Sequence, residues 1–449
     1  MDMRIALYSA VLLAMIAGCD PAARDVANPA PKAARWITVV TPHNEEIRRA
    51  FATAFSDWHL AQRGSSVYFE WVALGTPECL AFIQETAPER PATRGRGSSL
   101  PDVFFGGGIA DHRLVQQRGQ SRVVRVEEAA KIPASVAGLP TRDADGHWHA
   151  TGLSTFGIVF NERDCARRGI AAPTTWADLA DPRFRGWLGL ADPAASGSVQ
   201  QSLLMIVQKE GWDAAWGQVI RMLANSRALV ERSTVALQQT RGGVFLASFA
   251  VNFDGLALQN DAQGVVQYLN PPGATAATPD LVSVLNTTDD VPLAEDFVRF
   301  CLSAPGQMLW GARRSGDAPP LFHYPILPEV YEKHAAELTL PENPLKDSLG
   351  LELDFERGLR QLAALRVLIA AATGDNHITL QQTWEAVSTA NSPAALAEFV
   401  RPPLTEAAAI ELADSLAAAP PEQAGRMRAD LAGRIAEQLE KTRQLLQSP

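Results

Sequence analysis

Short apolar segments alternate with polar loops and amphipathic helix patterns in the first part of this chain, and this alternation restricts its possible folds most strongly. The first unit joins the apolar run 36–40 to a helix pattern with Ile47 and Phe51 on one face. A second unit covers 67–83, and a third begins at 102–108. Strand, polar loop and helix repeated in this order predict a largely parallel sheet.

A second block of the same kind follows from about residue 150. The apolar stretch 153–161 predicts a strand, and 195–198 predicts the start of a helix. Further strands are expected within 244–252 and 265–269. The carboxyl ends of such strands meet helix N-termini in one crevice, where unpaired N–H groups collect. Small anions or oxygen-rich molecules are therefore the expected ligands.

Charge and motif content exclude several function classes. The 449 residues carry 40 Lys and Arg against 50 Asp and Glu, a net charge of −10, and no basic cluster suited to nucleic acid. The chain contains no GxSxG, HExxH or GxxxxGK[ST] motif, and no cysteine with a convincing histidine partner. We therefore predict a protein that is not an enzyme, and a lipoprotein hydrolase is the weakest alternative.

The N-terminus has the features of an export signal. Arg4 precedes an apolar run that ends in Ile16-Ala17-Gly18-Cys19, which resembles a bacterial lipobox. This resemblance predicts a lipoprotein signal peptide over 1–18, a lipidated Cys19 and a Pro- and Ala-rich tether over 19–35. The expected location is the bacterial cell envelope, periplasmic or extracytoplasmic, with the protein anchored to the membrane by lipid. An ordinary signal peptide with an accidental cysteine is the alternative.

Several loops occur in an order that is typical of one family. The ordered set resembles the ferric-iron-type periplasmic solute-binding proteins of ABC importers over about 36–325, and it consists of Thr41-Pro42-His43-Asn44-Glu45, Gly75-Thr76-Pro77-Glu78, Asp102-Val103-Phe104-Phe105, Leu153-Ser154-Thr155-Phe156-Gly157, Thr175-Trp176-Ala177-Asp178-Leu179, Leu190-Ala191-Asp192-Pro193 and Ala195-Ser196-Gly197. The resemblance implies an α/β fold of two lobes that close on a ligand by hinge motion.

On this template the chain divides into lobes joined by two crossings. The N-lobe would comprise 36–150 and 273–340, and the C-lobe 151–272. The crossings would be Leu153 to Thr155 and Gly264 to Pro272. Helix patterns from Phe355 onward predict a helical C-terminal extension over 341–449, which we interpret as a stabilising cap rather than a docking arm.

The resemblance also indicates which loops would hold the ligand. His43 and Glu78 match two iron ligands of the family, but the tyrosine pair is replaced by Phe253 and Asp254, which makes bare ferric iron a doubtful ligand. The candidate metal ligands are His43, Glu78 and Asp254. The full predicted ligand-binding set is His43, Asn44, Glu78, Ser154, Thr155, Ser196, Gly197, Ser198, Ser233, Thr234, Asn252 and Asp254. Taken alone, each of these residues is more often a helix cap, and it is their order on the same edge of two lobes that favours a ligand.

The predicted function is that of the substrate-binding protein of an ABC transporter. It would capture an anion such as phosphate, phosphonate or carboxylate, or ferric iron with a synergistic anion, and deliver it to a membrane permease. No cofactor is expected beyond a metal ion as part of the ligand, and the protein is expected to be a monomer that binds no nucleic acid. A lipid-anchored ligand sensor on the same fold is the main alternative.

The lipobox gives the first testable prediction. Because Cys19 would carry the lipid, wild-type protein should incorporate labelled fatty acid and partition into the membrane fraction. Cys19→Ala should be processed poorly or stay soluble. Equal fatty-acid labelling of the two proteins would contradict the anchor.

Overall fold

The structure is a computed structural model that describes residues 24–25, 34–87, 100–314, 318–346 and 349–447. The predicted signal peptide 1–18, the lipidation site Cys19 and most of the tether 19–35 lie outside the described residues.

The described residues form two main sheets flanked by helices. The strands are β1 (Arg24–Asp25), β2 (Arg35–Thr41), β3 (Val67–Ala73), β4 (Val103–Phe105), β5 (Ser135–Val136), β6 (Leu139–Pro140), β7 (His149–Ser154), β8 (Phe156–Asn161), β9 (Leu188–Ala191), β10 (Ser226–Val230), β11 (Ala247–Val251), β12 (Val266–Leu269) and β13 (Thr278–Val284).

Sixteen α-helices and four short 3-10 helices complete the described residues. The α-helices are α1 (Glu45–Arg63), α2 (Thr76–Thr86), α3 (Ile109–Gln117), α4 (Glu162–Arg168), α5 (Gly197–Glu210), α6 (Trp212–Asn225), α7 (Ser233–Arg241), α8 (Asn252–Ala262), α9 (Val291–Leu302), α10 (Ala304–Gly311), α11 (Pro328–His334), α12 (Phe355–Thr373), α13 (His377–Ala390), α14 (Pro393–Val400), α15 (Glu406–Ala418) and α16 (Pro421–Gln447). The 3-10 helices are Glu127–Lys131, Ala177–Ala180, Pro182–Phe184 and Ala335–Glu337.

The first sheet has the strand order β1-β3-β2-β4-β13-β7. Strand β2 pairs in parallel with β3 and β4, as the strand and helix alternation predicts. The returning strand β13 is antiparallel to both β4 and β7. The parallel pairs bring the ends of β2, β3 and β4 to one edge, and that edge carries the loops that enter α1, α2 and α3.

The second sheet has the order β10-β9-β11-β8-β12, with β9 parallel to β10 and β11. The predicted single strand 153–161 is two strands in the structure, because Thr155 separates β7 of the first sheet from β8 of the second. The Thr155 N–H donates to Asn252 Oδ1 at 2.9 Å rather than to a neighbouring strand. The return from β12 to the first sheet runs through 270–277.

The C-terminal helices share a hydrophobic core with the second sheet. Leu365 and Leu368 of α12 are almost fully buried in the cluster that contains Trp216 of α6. Trp384 of α13 donates its indole N–H to Asn225 Oδ1 at 2.8 Å. The predicted helical extension is therefore present, and it is packed against the second lobe.

The segment that leads into α12 makes a third connection between the lobes. Leu351 and Leu353 are buried in the hydrophobic core of the first lobe. The Leu353 N–H donates to the Ala137 carbonyl at 3.0 Å, beside the β5–β6 hairpin. Two residues later α12 begins and packs against the second lobe.

Cys79, Cys165 and Cys301 are all free and buried. Among the described residues, every helix is too short or too polar to cross a bilayer.

The shared core predicts that the extension contributes to stability. Leu368→Ala should lower the free energy of unfolding by about 2 to 5 kcal/mol, because it removes buried apolar surface and leaves a cavity. Urea denaturation would measure the change. Ile378→Ala is the matched control, since Ile378 on α13 is 69% exposed and its truncation should have little effect.

Candidate ligand-binding cleft

A cavity of about 360 Å³ lies between the two lobes. In the first lobe it is lined by the loops after β2, β3 and β4, and in the second by the loops that enter α5, α7 and α8. The loop segments on the cavity are 42–43, 73–77 and 107–111 from the first lobe, and 195–198, 232–234, Val251, Phe253 and Asp254 from the second. The cavity thus occupies the crevice that the parallel strands predict.

Four helices begin at the cavity wall. Helices α2, α3, α5 and α7 start at Thr76, Ile109, Gly197 and Ser233, and all four residues line the cavity. The N-termini of helices carry partial positive charge and unpaired N–H groups, so their convergence favours an anionic ligand. Arg232 immediately precedes α7 and lies on the same wall.

Eight of the twelve predicted ligand-binding residues line the cavity: His43, Ser154, Ser196, Gly197, Ser198, Ser233, Thr234 and Asp254. Ser196 is also the N-cap of α5, since its hydroxyl accepts from the Val199 N–H at 3.4 Å. The same hydroxyl lies 3.2 Å from the Ser198 hydroxyl. Ser196 therefore serves as a cap and remains available to a ligand.

Glu78 is committed to other contacts. Its Oε2 accepts from the Gly75 N–H at 2.8 Å, which closes a capping box at the start of α2. Arg232 donates to both of its carboxylate oxygens, at 2.9 and 3.0 Å. This ion pair joins the two lobes beside the cavity, and Glu78 does not line the cavity.

Asn44, Thr155 and Asn252 also hold the lobes rather than line the cavity. Asn44 caps α1 and donates from Nδ2 to Asp254 Oδ1 of the other lobe at 3.1 Å. Asn252 accepts from the Thr155 N–H and donates to the Phe322 carbonyl at 2.6 Å. The amide side chain of Asn252 thus fixes the crossing point at Thr155 and the segment that precedes His323.

His43 lies at the base of the cavity and is only 4% exposed. Its Nδ1 is 3.2 Å from the Thr41 hydroxyl, whereas its Nε2 is buried without a partner. Burial lowers the pKa of His43 to about 4, so the ring is neutral at physiological pH. A neutral imidazole nitrogen without a partner can bind a ligand proton or a metal ion.

Gly106 makes room for this ring. Its φ is +94°, and a Cβ at this position would lie 2.7 Å from His43 Cε1. The Gly106-Gly107-Gly108 run therefore does more than turn the chain, since Gly107 and Gly108 also line the cavity.

Two titratable residues that sequence analysis did not select, Asp280 and His323, lie beside His43. Asp280 of β13 accepts from the His323 ring nitrogen Nε2 at 2.8 Å and from the Ser154 hydroxyl at 2.5 Å. Burial favours the neutral acid, but the hydrogen bond and positive potential from His323 hold the pKa of Asp280 below its ordinary value. The sequence signal for Asp280 is an acidic residue within the otherwise mostly apolar strand 278–284, since a charged group in a buried strand usually has a specific partner.

The potential metal ligands form a different set from the predicted one. Ligand atoms of His43, Asp280 and His323 lie within 4.8 Å of one another. Among the described residues, these three form the one group of at least three His, Cys, Asp or Glu side chains close enough to hold a metal ion. Glu78 pairs with Arg232, and Asp254 accepts from Asn44. The predicted set of His43, Glu78 and Asp254 stays a prediction.

Residues 98–337 match the family described as bacterial extracellular solute-binding protein, and the chain belongs to this family. This agrees with the resemblance found in the sequence and with the two-lobed fold.

Curated relatives are similar over part of their length. The phosphoglycerate transport regulatory protein PgtC of Salmonella typhimurium is 25% identical over 187 residues, which are 42% of this chain and 46% of PgtC. An uncharacterized protein of Haemophilus influenzae is 26% identical over 228 residues, 48% of this chain and 62% of that protein. The chain spans about half the length of the curated relatives that it matches.

Solved structures share the fold at low identity. The periplasmic binding protein AfuA of Actinobacillus pleuropneumoniae, with fructose-6-phosphate bound, has a TM-score of 0.58 and 17% identity over 78% of this chain and 97% of its own. Iron-bound HitA of Pseudomonas aeruginosa has a TM-score of 0.55 and 16% identity over 76% and 99%. A two-component system protein that mediates signal transduction has a TM-score of 0.54 and 14% identity over 72% and 95%.

The half-buried carboxyl of Asp254 gives a pH prediction. Burial raises the pKa of Asp254 to about 6, against about 3.9 in an unfolded chain. The folded state therefore binds this proton more tightly, and the group's contribution to stability is lost as pH rises from about 4 through 6. Asp254→Asn keeps the acceptor for Asn44 and should remove this loss.

Urea denaturation at a series of pH values would provide the difference curve between wild type and Asp254→Asn. The exposed acid Asp414, exchanged for Asn, is the control and should keep the wild-type shape. A difference curve that is flat between pH 4 and 6 would contradict the raised pKa.

Proposed function

We propose that this protein is the substrate-binding component of an ABC importer and that it captures a small organic anion with a phosphate, phosphonate or carboxylate group. The observation that carries the proposal is the convergence of four helix N-termini on one interlobe cavity. The captured ligand would be delivered to a membrane permease.

The hydroxyl groups on the cavity wall support the same ligand class. Ser196 and Ser198 stand at the start of α5, and Ser233 and Thr234 stand at the start of α7. Such hydroxyls can donate to the oxygens of a phosphate or carboxylate while the helix dipoles stabilise its charge. AfuA holds a sugar phosphate and PgtC is named for phosphoglycerate, which makes phosphate monoesters the first compounds to test.

Iron fits the cavity residues less well. A group of two imidazoles and one carboxylate lacks the hard phenolate oxygens that favour ferric iron, and such nitrogen donors suit borderline divalent metals better. In addition, Asp280 already accepts from His323 and Ser154. A metal ion that accompanies the anion would therefore bind at His43, Asp280 and His323.

Calorimetry on metal-stripped protein is the experiment that tests the ligand class. We expect a phosphate monoester such as 3-phosphoglycerate or fructose 6-phosphate to bind without added metal. Ser196→Ala and Ser198→Ala should each weaken binding by about 1 kcal/mol, or about five-fold, through a lost hydrogen bond.

Ser392→Ala is the matched control, because Ser392 caps α14 in the extension and does not line the cavity. The affinity of Ser392→Ala for the phosphate monoester should equal that of wild type. Tight ferric binding that vanishes in both His43→Ala and Asp254→Ala, with no heat from any anion, would refute the proposal.

A ligand sensor is the second candidate, because PgtC is named as a regulatory protein and one solved structure mediates signal transduction. Deletion of the gene separates the two functions. Loss of ligand uptake would support the importer, whereas intact uptake with a lost transcriptional response would support the sensor. In either case the proposed location is outside the cytoplasm, with the chain held to the membrane by lipid on Cys19.

A further inference from the structure

The cavity wall has polar groups and some apolar side chains at the helix starts, and further apolar side chains beyond them. These further side chains include Leu139, Leu204, Leu353, Phe355, Leu359 and Leu362. Three of these, Phe355, Leu359 and Leu362, belong to the first two turns of α12, which is part of the C-terminal extension. The extension therefore contributes to the ligand cavity in addition to its packing against the second lobe.

Helix α5 relates the polar part of the cavity to the apolar part. Ser198, Gln201 and Leu204 all line the cavity, and their spacing of three residues places them along one face of the helix. A helix rises 1.5 Å per residue, so Leu204 lies roughly 9 Å along the axis from Ser198. Polarity falls along this wall from the helix start toward Leu204.

Helix α12 covers the apolar end. A Cβ placed on Gly358 would lie 3.0 Å from Leu204 Cδ1, so α12 packs directly on this part of α5. The neighbouring residues Leu359 and Leu362 face the cavity from the same helix. Leu362 and Leu204 are each 7% exposed, whereas Phe355 and Leu359 are half-buried, so the apolar end is partly shielded from bulk water.

The first lobe holds the beginning of α12 in place. Arg113 of α3 lies 5.0 Å from the centre of the Phe355 ring and pairs with Glu356 at 2.7 Å. Leu353 hydrogen-bonds to Ala137, two residues before Leu139. The apolar end is thus built from both lobes and from the extension.

From this arrangement we infer that the ligand carries an apolar group, such as a short alkyl chain or a ring, attached to its anionic head. The head would bind at the helix N-termini and the apolar group would lie among Leu204, Leu359 and Leu362. This inference rests on the proposed function, since it assumes that the anion binds in this cavity. A shielded wall of leucine side chains favours an apolar occupant over water, which would find few hydrogen-bond partners there.

A homologous series of alkyl phosphates tests the inference in the full chain. Calorimetry should be run with inorganic, methyl, butyl and hexyl phosphate. Each methylene that becomes fully buried should tighten the dissociation constant about four-fold. The gain should end when the chain fills the space between Ser198 and Leu204.

Leu359→Gln is the decisive variant, because it puts a polar group into the apolar end. It should reduce the ratio of methyl to hexyl phosphate dissociation constants toward one. Leu359→Ala is the milder second variant and should reduce the ratio partly. Ile378→Gln is the control, since this exposed residue of α13 lies away from the cavity and should keep the wild-type ratio.

The outcomes separate this inference from the proposed function. If no alkyl phosphate binds, the same series of alkyl phosphonates and carboxylates replaces it, and if none of the three classes binds, the proposed function fails and the inference fails with it. If methyl phosphate binds but hexyl phosphate binds no better, or if both Leu359 variants keep the wild-type ratio, the inference is overturned and the proposed function stands. A rising series that depends on Leu359 supports both.

Discussion

The parallel pairing of β2 with β3 and β4 is the constraint on which the site depends. Parallel strands end at the same edge of a sheet, so the loops that follow them meet there. Those loops contain His43, Thr76 and Gly107, which all line the cavity. In the second lobe β9 is likewise parallel to β10 and β11, so the loops after these strands also meet at one edge. The two edges face one another across the cleft.

The faces of the cleft are held together by side chains from helix starts. Arg232 reaches Glu78, and Asn44 reaches Asp254, so each contact joins a loop of one lobe to a loop of the other. Both pairs lie in loops that also line the cavity. Under the proposed function, ligand capture and closure would involve the same short segments of chain, as hinge-type binding requires.

Sequence analysis located loops that line the cavity but not the direction of every side chain. His43 and Ser196 follow from strand ends and helix starts, because these are local features of the sequence. Glu78 and Asn44 stand in the expected loops, yet backbone N–H groups within three residues bind their side-chain oxygens. This local competition between capping and ligand binding cannot be resolved from residue types alone.

Asp280 and His323 were missed for a different reason. They lie on segments that return to the first lobe after the whole second lobe, so their contact with His43 spans more than two hundred residues of chain. No periodicity links such positions, and only the paired strands β7 and β13 bring Asp280 next to Ser154. The role of α12 in the cavity was missed likewise, since its apolar stripe predicts only that some surface is covered.

The third connection between the lobes also affects how the protein unfolds. Leu351 and Leu353 belong to the core of the first lobe, while Leu365 and Leu368, which follow on α12, belong to the core of the second. Disruption of either core therefore loosens an anchor of the other. The two lobes are coupled through this short stretch, and the protein should lose its structure in one cooperative transition instead of one lobe at a time.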